Sequence, residues 1–181
     1  MNVWLFGYGS LIWRPDIDYI DRRRARLPGW ERRFWQGSHD HRGLPDDPGR
    51  VVTLIESAKA GCDGMAYLVE RELVVETFEA LDHREKNGYQ RVEVVLELAE
   101  RAPTPGVVYI APVNNHAFLG PAPLPEMAAQ IRSSEGPSGR NIDYLLDLAD
   151  ALRELDADDP HVFELEAAVR GHTSQPHQGG N

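Results

Sequence analysis

Thiols are almost absent from this chain. Cys62 is the only cysteine in 181 residues, so no disulfide can form within it, and a reducing cytoplasm is the expected compartment. Long apolar runs are missing too. No stretch of eighteen apolar residues occurs, which excludes a membrane-spanning helix. The opening Met-Asn-Val-Trp-Leu-Phe-Gly lacks the basic start and long apolar segment of a secretory signal. Positive charge is not in excess: the formal net charge of −10 argues against nucleic-acid and anionic-membrane surfaces. Lysine is nearly missing, with only Lys59 and Lys86 beside seventeen arginines. Arginine grips carboxylates as a planar bidentate fork, so this bias is a first hint of a small anionic ligand.

The length suits one domain, expected over residues 1–170, followed by a polar tail at 171–181 whose composition predicts disorder. Charge is uneven along the chain. Residues 1–50 hold nine basic and seven acidic side chains, whereas residues 51–181 hold ten and twenty-two. Residues 3–6 form a short apolar run stopped by Gly7, and read as a buried strand. Further strands are predicted at 30–36, 50–56, 64–69, 91–98 and 106–111, with a long glycine- and proline-punctuated loop at 37–49. Apolar spacing predicts helices at 72–81, 125–133, 142–155 and 160–169, with Asn141 as the cap of the third and Gly88 as the stop after the first. Strands early and helices late give an α+β class.

Four segments carry residues suited to chemistry. Gly7-Tyr8-Gly9-Ser10-Leu11-Ile12 follows the first strand and reads either as a tight turn or as a concave row of backbone N–H donors for an anion. It has neither the lysine of a P-loop nor the spacing of a dinucleotide fingerprint. Glu85 lies in the charged run Asp82-His83-Arg84-Glu85-Lys86, which by itself reads as a solvated helix end. His39-Asp40-His41 invites a metal reading, but no separate His or Cys cluster supplies further ligands. Arg140, in Gly-Pro-Ser-Gly-Arg-Asn, reads as part of a turn or as a carboxylate grip at a helix start. Cys62, Ser10 and Ser38 have no neighbouring base or nucleophile elbow.

In chain order, these segments resemble the ChaC-type γ-glutamylcyclotransferases, the glutathione-degrading branch of their superfamily. The resemblance rests on Phe-Gly-Tyr-Gly-Ser-Leu-Ile-Trp, Arg-Phe-Trp-Gln-Gly-Ser-His-Asp-His-Arg-Gly, Pro-Gly-Arg-Val-Val-Thr-Leu, Asp-His-Arg-Glu-Lys-Asn-Gly-Tyr, residues 119–123 and Gly-Pro-Ser-Gly-Arg-Asn, together spanning about residues 3–155. It implies a small, partly closed mixed β-barrel flanked by helices. It implies conversion of glutathione to 5-oxoproline and cysteinylglycine, without metal or cofactor and with no obligate protein partner. Glu85 stands at the family's general acid/base and residues 7–12 at its substrate loop, with Tyr89 beside them in the matching block. Glu76 resembles a second, minor acidic position. His83 departs from the family, which usually has an aromatic residue there.

The chemistry agrees with the residue types. A γ-glutamyl amide carries its own nucleophile, an α-amine four bonds from the γ-carbonyl, so lactam closure asks nothing of an enzyme thiol or hydroxyl. It asks for orientation and for one group to move protons. Arg42, Arg50 and Arg140 are the candidates for gripping the glycyl carboxylate. Activity on other γ-glutamyl peptides or amines, and a non-catalytic regulator of cation transport, are the competing expectations.

Overall fold

The computed structural model describes residues 1–171. The predicted tail therefore lies outside the described residues, except for Gly171. Strand β1 (Val3–Gly7) is buried on both faces, with Leu5 and Phe6 wholly inaccessible. It is followed by two long strands, β2 (Asp21–Ser38) and β3 (Gly49–Val69). β4 (Gln90–Leu98) and β5 (Thr104–Ile110) complete a barrel of order β1-β3-β2-β4-β5. Parallel pairing of Leu5 in β1 with Val107 in β5 closes it, so the barrel is closed where partial closure was expected.

Both long strands depart from the sequence reading in length. β2 begins nine residues before the predicted strand at 30–36 because Ala25 and Leu27 point inward between exposed Arg24 and Arg26. That is a two-residue period written in arginine. A register shift between Pro28 and Trp30, with Gly29 at φ +84°, lets the strand bend there without stopping. β3 is one strand across the expected break at 57–63, because it continues to pair with β2 as far as Leu68.

Helix α1 (Val74–Arg84) follows a single 3₁₀ turn at Arg71–Leu73 and packs Phe78 and Leu81 against Leu5, Leu11 and Tyr109. On another side of the barrel, α2 (Leu124–Ser133), α3 (Asn141–Glu154) and α4 (Pro160–Val169) share one apolar cluster with it. In α3, Leu145, Leu148, Ala149 and Leu152 are inaccessible, following the predicted helical spacing. Each such leucine contributes roughly 1.5–3 kcal/mol through burial. A two-stranded ribbon, β6 (Glu135–Gly136) with β7 (Gly139–Arg140), leads into α3.

Asn141 does not cap α3. It is the first helical residue, and Arg140 holds the cap position. Its buried side chain instead accepts from Arg50 N–H and donates to Arg50 C=O, both at 2.8 Å, imitating a strand partner for β3. Those main-chain groups need partners in the interior, which outweighs a cap at a helix start that solvent can satisfy.

Candidate active site

Two adjoining cavities open at one end of the barrel and share Ser10, Glu85, Tyr89 and Tyr144. The outer one, about 260 Å³, is lined also by Trp13, Arg14, Asp40, His41, Arg42, Asn87 and Ser138. The inner one, about 40 Å³, is lined by Tyr8, Gly9, Leu11, Val52 and Tyr109. Glu85 stands where they meet.

Local structure fixes that position. Glu85 closes α1, its N–H donating to Leu81 C=O at 2.8 Å. Gly88 then turns the chain at φ +92°, and a Cβ there would lie 2.4 Å from Asn115 Oδ1. The turn is tied to β2 by Gln36, inaccessible to solvent, which donates to Asn87 C=O at 2.9 Å and exchanges two amide hydrogen bonds with Asn115. Asn87 in return donates to Gly37 C=O at 2.8 Å. Arg84 binds the other wall: its guanidinium lies 3.6 Å from Glu85 Oε1 and donates to Ser10 Oγ at 2.9 Å. Burial raises the proton affinity of Glu85 above the ordinary carboxylate range and Asp40 adds to it, while Arg84 and His41 oppose them.

His41 Nε2 faces the Arg84 carbonyl at 3.3 Å, and Nδ1 faces Ser138 Oγ at 3.0 Å. A carbonyl only accepts, so Nε2 carries a proton. Tyr8 Oη donates to Tyr109 C=O and Tyr89 Oη to Val52 C=O, each at 2.7 Å. Burial pushes both phenols well above their ordinary proton affinity, so they stay neutral. Tyr144 packs edge-on against Trp13 and Phe34. A Cβ on Gly9 would fall 2.9 Å from Tyr144 Oη, so only glycine lets the turn approach this closely.

The turn after β1 folds back on itself through Ile12 N–H to Gly9 C=O at 2.9 Å. The N–H groups of Gly9, Ser10 and Leu11 meet no acceptor among the described residues. Three such donors beside a small chamber form an anion-binding concavity.

Of the residues singled out from sequence, Tyr8, Gly9, Ser10, Leu11, Arg42, Glu85 and Tyr89 line the two cavities. Gly7 ends β1, and Ile12 packs toward the core beside them. Arg50 is buried away from both, donating to Gln130 Oε1, Phe34 C=O and Gly120 C=O. Arg140 is on the surface, its fork held by Asp143 at 2.8 and 3.1 Å. Glu76 and His83 are exposed and line neither cavity. Cys62 is buried elsewhere, its thiol pushed up to about 11. Among the described residues, no group of three or more His, Cys, Asp or Glu is placed to hold a metal ion.

Sequence reasoning missed Tyr144, which lies in the predicted helix at 142–155 but off its marked apolar positions, and Trp13, Arg14, Arg84, Asn87 and Ser138, each adjacent to a motif but without a local pattern of its own. His41 was visible only as half of a histidine pair.

A family model described as ChaC-like protein matches residues 3–172. The chain is 42% identical over 174 residues to the glutathione-specific gamma-glutamylcyclotransferase 1 of Danio rerio, covering 93% of this chain and 89% of that one. It is 42% identical over 180 residues to gamma-glutamylcyclotransferase 2-3 of Arabidopsis thaliana, covering 94% and 89%. A crystal structure of the yeast gamma-glutamyl cyclotransferase specific to glutathione superposes with a TM-score of 0.88 at 32% identity, over 97% of this chain and 99% of that one.

Proposed function

The chain belongs to the ChaC-like family, and from that premise we propose that it cleaves glutathione to 5-oxoproline and cysteinylglycine, with Glu85 moving both protons. The observation that carries this is the placement of one proton-hungry carboxylate between a small chamber with free peptide N–H groups and a wider one holding arginine. The γ-glutamyl half lies in the inner chamber, its anionic oxygen on the amides of Gly9, Ser10 and Leu11. The α-amine is then folded toward the γ-carbonyl. Glu85 takes a proton as the amine attacks, the C–N bond to cysteine breaks, and Glu85 returns a proton to the leaving nitrogen. Orientation and proton transfer supply the acceleration, and no covalent enzyme intermediate is required. Incubation with reduced glutathione is expected to give equimolar 5-oxoproline and cysteinylglycine; unchanged glutathione would refute the assignment.

Arg42 holds the glycyl carboxylate. Its guanidinium lies over the Tyr144 ring at 5.8 Å and spends one N–H on Arg140 C=O at 3.2 Å, leaving donors free. Burial lowers its proton affinity, and the charge of Arg14 on the same cavity lowers it further, a repulsion that a bound carboxylate relieves. Arg42→Gln should raise KM for glutathione about 10- to 100-fold, the loss of one charge-assisted contact. Turnover of γ-glutamyl compounds without that carboxylate should hardly change. An unaltered KM for glutathione would remove Arg42 from the site.

A further inference from the structure

Behind the turn that offers those free N–H groups sits a buried cation. Arg32 is 2% exposed, and each of its three nitrogens has one partner in a different part of the fold. Nε donates to Tyr8 C=O at 2.7 Å. One terminal nitrogen pairs with the Asp159 carboxylate and the other donates to Asp63 C=O. Asp159 is itself anchored, its other oxygen capping α4 by accepting from Val162 N–H at 3.2 Å. The fork therefore cannot swing without breaking contacts to β3 and α4.

We propose that Arg32 is a positioning residue for the reaction: it locks the Tyr8–Gly9 peptide plane so that the Gly9 N–H is aimed at the γ-glutamyl group. In a trans peptide the C=O and the following N–H point in opposite directions. Arg32 does not line the inner chamber, whereas Tyr8 and Gly9 both do. With the carbonyl taken by Arg32, the opposite N–H is the group left for the chamber. A cation on the carbonyl also polarises the peptide group, making that N–H a stronger donor to a negative oxygen. Gly9 has no side chain to hold the plane, and none of its neighbours in the turn bonds the Tyr8 carbonyl, so the constraint has to come from across the barrel.

This inference rests on the proposed cyclotransferase reaction, and its test separates the two. Wild-type protein is assayed first, and failure to release 5-oxoproline refutes the reaction itself. Given an active wild type, Arg32→Lys keeps the charge but has one nitrogen where three separate ones now reach Tyr8, Asp159 and Asp63. It should fold, by circular dichroism, and lose about 100-fold in kcat/KM, the cost of a misplaced contact at the reacting centre. The acid limb of its pH profile should stay in place, because Glu85 is unchanged. Glutathione binding by titration calorimetry, in a Glu85→Gln background, should weaken when Arg32→Lys is added. Should Arg32→Lys fail to fold, Asp159→Asn provides the test, since asparagine still caps α4 but no longer pairs with the guanidinium. It should lower kcat/KM in the same direction by a smaller factor. A folded variant with wild-type kcat/KM and only a lowered melting temperature overturns the proposal.

Discussion

Glu85→Gln should release 5-oxoproline at least about 100-fold more slowly than the wild type, within the 10²- to 10⁴-fold range for loss of a positioned acid/base, and yet melt no lower. The amide keeps the shape of the carboxylate and its place at the end of α1, where the main-chain bond from its N–H to Leu81 C=O does not involve the side chain. It cannot take a proton from the attacking amine. The stability expectation follows from burial. With its proton affinity raised above that of the unfolded chain, Glu85 binds a proton more tightly in the folded state. Stability therefore falls as pH rises from the unfolded value through the folded one, and the cost of the buried charge is complete above both. At neutral pH the glutamine removes that cost. The same shift sets the pH profile: the base must be ionised, so kcat/KM should decline on acidification along a limb lying above the ordinary glutamate value of about 4.3. Near-normal turnover by a folded Glu85→Gln protein would refute the assignment, and a limb at the ordinary value would show that the site stays wet around the carboxylate.

How much of this was legible in the sequence depends on the range over which each feature is specified. The period of α3 and the apolar run of β1 are local, and residues 142–155 and 3–6 announced them within a residue or two. The middle of β3 was hidden because exposed residues such as Glu56 and Lys59 carry no apolar alternation to detect, and the start of β2 because only Ala25 and Leu27 mark the period among its arginines. Asn141 was misjudged because cap preference is a local statistic, and its amide is spent on a strand ninety-one positions away. The site is non-local throughout: Arg84 meets Ser10 across seventy-four positions, and His41 meets Ser138 across ninety-seven. No spacing rule reaches that far. Family resemblance supplied Glu85 and the turn after β1, whereas Tyr144, which neither the apolar spacing of its helix nor any motif marked, borders both cavities only once the chain is folded.

The three arginines nominated for one carboxylate illustrate the same limit, and they yield the second large effect. Arg50→Met should destabilise the fold by roughly 3 kcal/mol or more, since each buried acceptor left without a donor costs roughly 1–3 kcal/mol. Three are at stake. Gln130 Oε1 in α2 is held at 2.7 Å, and the carbonyls of Phe34 in β2 and Gly120 before α2 at 2.9 Å each. Arg50 is only 6% exposed, so water cannot replace it easily. Methionine fills the volume of the stem but donates nothing, and the segment leading into α2 loses its tie to the barrel. For a chain of this size, 3 kcal/mol corresponds to a melting-point loss of roughly 10 °C. The measurement is a denaturant or thermal melt beside a KM determination on the protein that remains folded. Arg50→Met should shift the melt and leave KM near the wild-type value; Arg42→Gln should do the reverse; Arg140→Ala, which removes a guanidinium held on the surface by Asp143, should do neither. A wild-type melt for Arg50→Met together with a raised KM would return Arg50 to the substrate and move the carboxylate grip away from the outer cavity.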